Sequence, residues 1–303
     1  MWLLLALASA CLLGFYDVFK KKSLKDNAVI PVLLINTVIC SLIFMPFIIG
    51  SGTGLIQEGS TAYVPSYGWE GHRWVILKAF IVLSSWISGY FAIKHLPITI
   101  VGPINATRPI MALVGALVLF GEKLNAWQWA GVLTAIFAVF MLSRSGKKEG
   151  IDFRHNRWIF LMFFAALTGA VSGLYDKFLM APEGCHLDRL FVQGWYNFYQ
   201  SVIMGIILLA IWLPAQKRNP ERFEWRWTIV FISLFLSAAD LFYLTALSRP
   251  GAMIAVVSMA RRSSVIVSFI FGAVMFHEKN LKGKALDLLF VLVSMVFLLI
   301  GTL

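Results

Sequence analysis

Charged residues are scarce in this sequence. Asp, Glu, Lys and Arg make up 14% of its 303 residues, whereas soluble domains contain about 25%. Hydrophobic residues reach 59%, and the mean hydropathy is +0.80. The longest polar connections span roughly Gly50–His72, Ser143–Arg157 and Pro214–Arg226, so no large soluble domain is present. The shortage of charge excludes a soluble globular protein and predicts a polytopic membrane protein.

Acidic residues and cysteines are especially few. The chain has 15 Asp and Glu against 26 Lys and Arg, a formal net charge of +11. We attribute the basic excess to loops that lie at anionic lipid headgroups rather than to nucleic-acid binding. Cys11, Cys40 and Cys185 have no metal-binding or redox spacing, so we assign them to packing. No basic segment precedes the first apolar stretch, which therefore predicts a retained helix rather than a signal peptide.

Sequence motifs of enzyme chemistry are missing too. The chain has no G-x-S-x-G, and it has no H-E-x-x-H because His277-Glu278 is followed by Lys279-Asn280-Leu281. It contains no Walker-type phosphate loop, so we do not expect ATP-driven transport by this chain. The five histidines lie in or near predicted loops and form no ligand set. We therefore expect no catalytic residue, no cofactor and no metal.

Long apolar runs dominate what is present, and ten of them can span a bilayer, which needs about 20 mostly apolar residues. Short connections between most of them predict antiparallel neighbours. The predicted spans are approximately Trp2–Phe19, Val29–Ile49, Trp74–Ile93, Ile98–Phe120, Ala126–Leu142, Trp158–Met180, Leu190–Leu213, Trp227–Leu247, Ala252–Phe276 and Lys284–Gly301.

The sequence also repeats itself. The segment Gly14–Phe19 (GFYDVF) matches Gly173–Phe178 (GLYDKF), and Phe120–Lys123 (FGEK) matches Phe276–Lys279 (FHEK). The two matches keep their order and nearly the same separation, which predicts a duplicated unit with five spans in each copy. Because five is odd, the second copy must enter the membrane from the opposite face. We predict two inverted five-helix repeats, over residues 1–146 and 147–303.

These motifs resemble the drug/metabolite transporter superfamily in its EamA-type branch. Members of that branch have two five-helix repeats, and their fourth and ninth helices end in a Gly-Glu pair followed by a basic residue. Gly121-Glu122-Lys123 matches this pattern, while the second copy has His277 in place of the glycine. The resemblance covers nearly the whole chain and implies a ten-helix carrier with a central cavity between the halves.

Three arginines lie near the middle of predicted spans. Arg108 lies in Ile98–Glu122, just after Asn105 and Thr107, and Arg261 and Arg262 lie in the ninth span. A guanidinium at mid-bilayer costs about 3 kcal/mol, so it must face the protein interior or a wet cavity. We interpret these residues as a substrate site, with a structural ion pair as the alternative. Because adjacent helical residues point about 100° apart, we expect only one of Arg261 and Arg262 to face the centre.

Carboxylates inside the predicted spans are candidates for coupling. Asp17 and Asp176 occupy equivalent places in the two copies, and either could instead pair with a nearby cation such as Lys20, Lys21 or Lys177. Asp240 has no cation close to it in sequence and needs a partner from another helix, for which Arg261 and Arg262 are candidates.

Polar residues of the seventh span form a further candidate lining. Gln193, Asn197 and Gln200 share one helical face because they are spaced by four and three. Interhelical hydrogen bonds would explain them without a substrate. Glu122 and Glu278, which follow the fourth and ninth spans, suggest a role in the fold such as capping the next helix.

Taken with the resemblance, these features predict a secondary-active transporter of a small metabolite, working by alternating access in the inner (cytoplasmic) membrane. The arginines suggest a substrate with an anionic group. The alternatives are an integral-membrane enzyme acting on a lipid-linked phosphate and a non-transporting membrane scaffold. The expected partners are a small-molecule substrate, the lipid bilayer and, if transport is proton-coupled, a proton; nucleic acid is not expected, and the oligomeric state stays open.

Two arguments about orientation disagree. Seventeen of the 26 Lys and Arg flank the odd-numbered connections, six lie toward the opposite face, and three are the mid-span arginines. Basic residues near span ends are held in the cytoplasm, which places both termini outside. The resemblance implies cytoplasmic termini, but members with that orientation are usually basic between their second and third helices. Gly50–His72 has no Lys or Arg, so we favour outside termini.

Overall fold

The structure, a computed structural model, describes residues 2–111, 124–148, 150–180, 184–216, 221–247, 254–278 and 280–302. All regular secondary structure in these ranges is helical, which confirms the predicted all-α class. A π-helical turn, Leu208–Trp212, and a short helix, Leu213–Gln216, extend the seventh helix. The helices are α1 (Trp2–Leu24), α2 (Val29–Gly52), α3 (Trp69–His95), α4 (Ile98–Ala106), α5 (Ala126–Lys147), α6 (Arg157–Met180), α7 (Arg189–Ile207), α8 (Thr228–Leu247), α9 (Ile254–Arg262), α10 (Ser264–Phe276) and α11 (Leu281–Thr302).

Eight helices in the described ranges are long and apolar enough to cross a membrane. They are α1, α2, α3, α5, α6, α7 with its extension, the run Met259–Phe276, and α11. In α8 the apolar stretch is shorter, Thr228–Tyr243. The predicted span Ile98–Phe120 continues beyond Met111 into 112–123, which lie outside the described residues. Large apolar side chains cover the outside of the bundle, with Phe160 72% and Leu4 70% exposed, as expected of a surface that faces lipid.

Helices are interrupted inside two of the predicted spans, the fourth and the ninth. Backbone helicity breaks at Thr107, directly after α4, and at Ser263, between α9 and α10. The Thr107 hydroxyl donates to the carbonyl of Ile104 at 2.7 Å, and the Ser263 hydroxyl donates to Ala260 at 2.6 Å. A hydroxyl that binds its own preceding turn competes with the helical backbone. Pro109 adds to the break, because it has no N–H to donate to the carbonyl of Asn105, four residues before it.

Helices of the first half pack mainly on helices of the second half. The principal contacts join α1 to α8, α3 to α6, α2 to α7, α5 to α11, and α4 to α10. Hydroxyls fix two of these pairs, since Ser9 donates to the carbonyl of Ala239 and Ser85 donates to that of Ala165, each at 2.7 Å. The halves are therefore interleaved.

Corresponding asparagines tie the ends of α5 and α11 together. The Asn125 amide, just before α5, donates to the carbonyl of Gly301 at 2.7 Å. The Asn280 amide, just before α11, donates to the carbonyl of Ser145 at 3.2 Å. Each asparagine thus binds a carbonyl near the end of the other half's last helix.

Connections between the helices meet at two opposite ends of the bundle. One end, here called the basic end, is formed by the connections 25–28, 96–97, 148–156, 217–227 and 277–280. In the described part of these connections, Ala28 N–H donates to the carbonyl of Arg222 at 3.1 Å. At the adjoining helix ends, the rings of His95 and Trp158 stack at 3.7 Å. The odd-numbered connections, which carry most of the Lys and Arg, therefore share one end.

Glu278 at the basic end caps a helix, but not the one that sequence analysis suggested. Its carboxylate accepts the backbone N–H groups of Ile98 at 2.6 Å and Thr99 at 3.1 Å, and also the Thr99 hydroxyl. These are the first N–H groups of α4, in the other half, rather than those of the following helix α11. A carboxylate there satisfies free donors and the helix dipole. Glu122 lies outside the described residues.

Replacing Glu278 tests this capping role. In Glu278→Ala the N–H groups of Ile98 and Thr99 lose their acceptor, and we expect the free energy of unfolding to fall by about 2 kcal/mol. Glu278→Gln keeps one oxygen and should lose less. The measurement is thermal unfolding of the purified protein in detergent, with Glu224→Ala, a surface partner of Arg226, as the control. An unchanged midpoint in Glu278→Ala would contradict the capping role.

Candidate functional site

Asp240 binds Arg261, one of the two partners proposed from the sequence. The Arg261 guanidinium donates to the Asp240 carboxylate, and it stacks over the Tyr243 ring at 4.3 Å. Asp240 lies in α8 and Arg261 in α9, so the pair joins two helices. Both side chains are mostly buried, with Arg261 16% and Asp240 12% exposed. Pairing offsets the cost of placing either charge away from water.

The second oxygen of Asp240 connects the pair to α7. It accepts the Gln193 amide at 3.3 Å and the Tyr196 hydroxyl at 3.4 Å. Asn197, also proposed as a lining residue, instead donates to the carbonyl of Gln193 at 3.0 Å. Gln200 is fully buried, and its amide has no hydrogen-bond partner among the described residues. Of the polar face predicted on α7, Gln193 reaches the buried charges.

Arg108 packs directly on a glycine of α6. A Cβ atom built on Gly169 would lie 2.6 Å from the guanidinium carbon of Arg108, so only glycine leaves room for this side chain. Within the described part of the chain, Arg108 forms no ion pair, and its Nε is buried without a hydrogen-bond partner. It interacts electrostatically with Asp17, Tyr16 and Arg261.

Arg262 joins the same group of charges. It interacts electrostatically with Arg108, Arg261 and Asp17. Among the described residues it has no carboxylate within salt-bridge distance. Of the two adjacent arginines, Arg261 is the one that binds Asp240, and the expectation that only one of them faces the centre stays a prediction.

Asp17 pairs within its own helix, as one of the sequence alternatives proposed. The Lys20 ammonium lies 2.6 Å from its carboxylate. The same ammonium lies 4.2 Å from the ring centre of Tyr16 and 5.3 Å from that of Tyr90. Both rings are buried, and the Tyr16 hydroxyl donates to that of Tyr90 at 3.4 Å. Neither tyrosine was proposed as a site residue: Tyr16 directly precedes Asp17 in the repeated segment, and Tyr90 is brought to α1 from α3.

Asp176 pairs with Lys78 of α3, a partner that the sequence did not suggest. The two side chains form an ion pair and a hydrogen bond. The neighbouring residue Lys177 had been the expected partner, and Lys78 had been counted as a basic residue at a span end. The Lys78 ammonium also lies 4.7 Å from the ring centre of Tyr196. Tyr196 therefore connects this ion pair to Asp240.

These contacts define what we call the charged cluster. It contains five cations and three carboxylates, with members from both halves of the chain. Each carboxylate is paired with one cation, and Arg108 and Arg262 are the two cations left over within the described part of the chain. The members are Asp17, Lys20, Lys78, Arg108, Asp176, Asp240, Arg261 and Arg262.

Asn105 and Thr107, proposed beside Arg108, differ in their surroundings. The Thr107 hydroxyl binds the backbone of its own turn, so its contact in this structure belongs to the helix break. The Asn105 side-chain oxygen is buried and has no hydrogen-bond partner among the described residues. Asn105 is therefore the better placed of the two to contact a solute, and its part in binding stays a prediction.

Asp287 is a further buried carboxylate, which sequence analysis left out. It lies in α11, is 1% exposed, and interacts electrostatically with Lys148 and Lys284 near the basic end. It is not a member of the charged cluster.

Among the described residues, no cysteine side chain is hydrogen-bonded to a member of the charged cluster. Cys40 is buried, as expected for packing, whereas Cys11 is exposed and Cys185 partly exposed. In the described ranges, no group of three or more His, Cys, Asp and Glu could hold a metal ion.

Comparison with known proteins gives a consistent picture. The model of the EamA-like transporter family matches residues 1–144 and 156–300. An "uncharacterized transporter" of Archaeoglobus fulgidus is 21% identical over 300 residues, which cover 98% of this chain and 97% of the relative. A solved crystal structure superposes with a TM-score of 0.60 at 13% identity, covering 98% of this chain and 97% of the other. At that identity the structural likeness concerns the fold alone.

Gly169 provides a direct test of the position of Arg108. In Gly169→Ala the new methyl group displaces the guanidinium, and we expect solute flux to fall by on the order of tenfold to hundredfold, as when a binding group is displaced by about 1 Å. Gly173→Ala, one turn further along α6, is the matched control because its Cβ would meet no atom within 4 Å. Flux in proteoliposomes is the measurement, and equal flux in the two variants would contradict the role assigned to Gly169.

Proposed function

This chain belongs to the EamA-like transporter family, and on that basis we propose that it is a secondary-active transporter of a small metabolite with an anionic group. The observation that carries the anionic group is the charged cluster, in which two arginines have no carboxylate partner among the described residues. The family and the transporter-named relative point to transport rather than to the alternatives of a lipid-phosphate enzyme or a scaffold.

Burial of arginine supports a polar path through the bundle. A guanidinium facing lipid at mid-membrane would cost about 3 kcal/mol or more. Among the described residues, the ion pairs of the cluster offset the burial cost of the charges on Lys20, Lys78 and Arg261, but not that on Arg108 or Arg262. A solute with a carboxylate or phosphate group would supply what Arg108 and Arg262 lack, because a guanidinium binds either group through two parallel hydrogen bonds. We propose that Arg108, Arg262, Gln193 and Asn105 contact the solute.

Alternating access is supported by features that recur in both halves. The breaks at Thr107 and Ser263 are 156 residues apart, as are Ser145 and Gly301, the two carbonyls bound by Asn125 and Asn280. We propose that 1–146 and 147–303 are inverted five-helix repeats that rock against each other. Interrupted helices beside a midplane site are typical of transporters built in this way.

Arg108 variants test the proposed function in reconstituted proteoliposomes. Arg108→Lys keeps the charge but loses the two-point hydrogen bonding, so flux of an anionic metabolite should fall while the protein still inserts. Arg157→Lys, a change at the basic end where Arg157 stacks on Trp158, is the control. A panel of metabolites, run with lipid-processing assays alongside, identifies the transported solute. Full flux in Arg108→Ala would rule out the site.

Proton coupling is a further part of the proposal and concerns Asp17, Asp176 and Asp240. Each carboxylate forms an ion pair in this structure, and we propose that one of these pairs opens during the transport cycle to exchange its cation partner for a proton. The same flux assay tests this with and without a pH gradient. Gradient-independent flux in the parent protein and in all three Asp→Asn variants would remove proton coupling.

We also propose that both termini lie outside the cytoplasmic membrane. The supporting feature is the basic end, which gathers the odd-numbered connections on one side and is expected to face the cytoplasm. Two reporter fusions at Leu303 test it, one active only in the cytoplasm and the other only outside. A cytoplasmic signal at Leu303 would reverse this orientation.

A further inference from the structure

We propose that the charged cluster binds a single solute group that carries two negative charges, such as a phosphate monoester. This inference rests on the proposed transport of an anionic solute and specifies its chemical class. It follows from the number of charges that the cluster leaves without a partner, and from the two residues that carry them.

Three of the five cations in the cluster already have carboxylates. Lys20 is paired with Asp17, Lys78 with Asp176, and Arg261 with Asp240. Their charges are balanced before a solute arrives. The cluster therefore has an excess of two positive charges, located on Arg108 and Arg262.

Carboxylates elsewhere in the chain are poorly placed to balance this excess. Of the 15 Asp and Glu, five lie within the membrane helices: Asp17, Glu70, Asp176, Asp240 and Asp287. Glu70 lies in the first turn of α3 and pairs with Arg73, and Asp287 interacts with Lys148 and Lys284. The three acidic residues outside the described ranges fall by sequence in predicted connections: Glu122, Glu149 and Glu183.

Arg108 and Arg262 are also close enough to repel each other. Helices α4 and α10 pack antiparallel, with Ile98 against Gly272 and Gly102 against Val265, and Ile110 shares an apolar cluster with Met259. This packing brings Arg108 and Arg262 to the same level of the bundle, where they interact electrostatically. A monoanion between them would leave one positive charge uncompensated in a poorly solvated interior, where unpaired charge is costly. A dianion compensates both charges and converts the repulsion into two attractions.

A phosphate monoester satisfies these requirements with one group. Near neutral pH it carries a charge of about −1.5 to −2 on three acceptor oxygens, enough to accept hydrogen bonds from two guanidinium groups. The packing of Arg108 on Gly169 holds one guanidinium in a fixed position. The Nε of Arg108, buried and without a hydrogen-bond partner in the described part of the chain, is a donor available for such a bond.

Methyl phosphate and methyl sulfate provide the test, because they share a shape and differ by one charge. Their affinities for the purified full chain are measured in detergent by calorimetry at about pH 8, where the phosphate is a dianion. We expect methyl phosphate to bind about tenfold more tightly or better, as one additional charge contact implies. Succinate, with its two charges on separate groups, should bind more weakly than methyl phosphate.

The variant Arg262→Gln tests whether Arg262 carries the second excess positive charge of the cluster. The ratio between the two probes should fall to about one, because a single excess cation remains. Continued binding of methyl sulfate shows that the variant is folded, and Arg157→Gln at the basic end is the control that should keep the parent ratio.

Four outcomes would each overturn the dianion site. In the parent protein these are equal affinities for methyl phosphate and methyl sulfate, tighter binding of succinate than of methyl phosphate, or no binding of either probe. In Arg262→Gln it is an unchanged ratio between the two probe affinities. The transport proposal is tested separately by Arg108-dependent flux. Flux of a monoanion with equal probe affinities would remove the dianion inference and leave transport standing.

Discussion

The cost of burying charge away from water governs how the halves of this protein meet. Eight ionisable side chains from both halves form the charged cluster, and none of them can be exposed to lipid without a penalty of several kcal/mol. Asp240 is central, since it binds Arg261 and accepts hydrogen bonds from Gln193 and Tyr196. Helices α7, α8 and α9 are therefore held around one carboxylate, and Lys78, through Tyr196, brings α3 to the same point.

Helix breaks and small residues give the backbone the shape that this cluster requires. Thr107 and Ser263 interrupt their helices directly beside Arg108 and Arg262, so the arginines flank irregular backbone rather than continuous helix. Gly102 lets α4 approach Val265 of α10, where an added Cβ would lie 2.7 Å from the valine side chain. Gly169 has a similar effect, because its lack of a side chain leaves space for the guanidinium of Arg108.

The sequence predicted an ion pair correctly where a buried charge had no oppositely charged residue near it in the chain. Asp240 has no cation nearby in sequence, so a partner from another helix was required, and Arg261 was one of two candidates. The partner of Asp176 was not predicted, because a cation adjacent in sequence was available as a candidate. Lys177 follows Asp176 directly, whereas Lys78 is 98 residues away and contacts Asp176 through the packing of α3 on α6. The role of Gly169 was beyond sequence reasoning, because a glycine carries no signal of what occupies the space beside it. Glu278 was correctly linked to capping, but the capped helix depends on the interleaving of the halves.

The packing of first-half helices on second-half helices has a consequence for the synthesis and membrane insertion of the protein. Ribosomes deliver α1 to α5 first, yet the principal contacts of these helices are with α6 to α11. Until α6 is made, Lys78 lacks its carboxylate and the Ser85 hydroxyl lacks the carbonyl of Ala165; the Ser9 hydroxyl lacks the carbonyl of Ala239 until α8 is made. The first half therefore cannot complete these contacts during its own synthesis, and the packing of the bundle is complete only after the second half has been inserted.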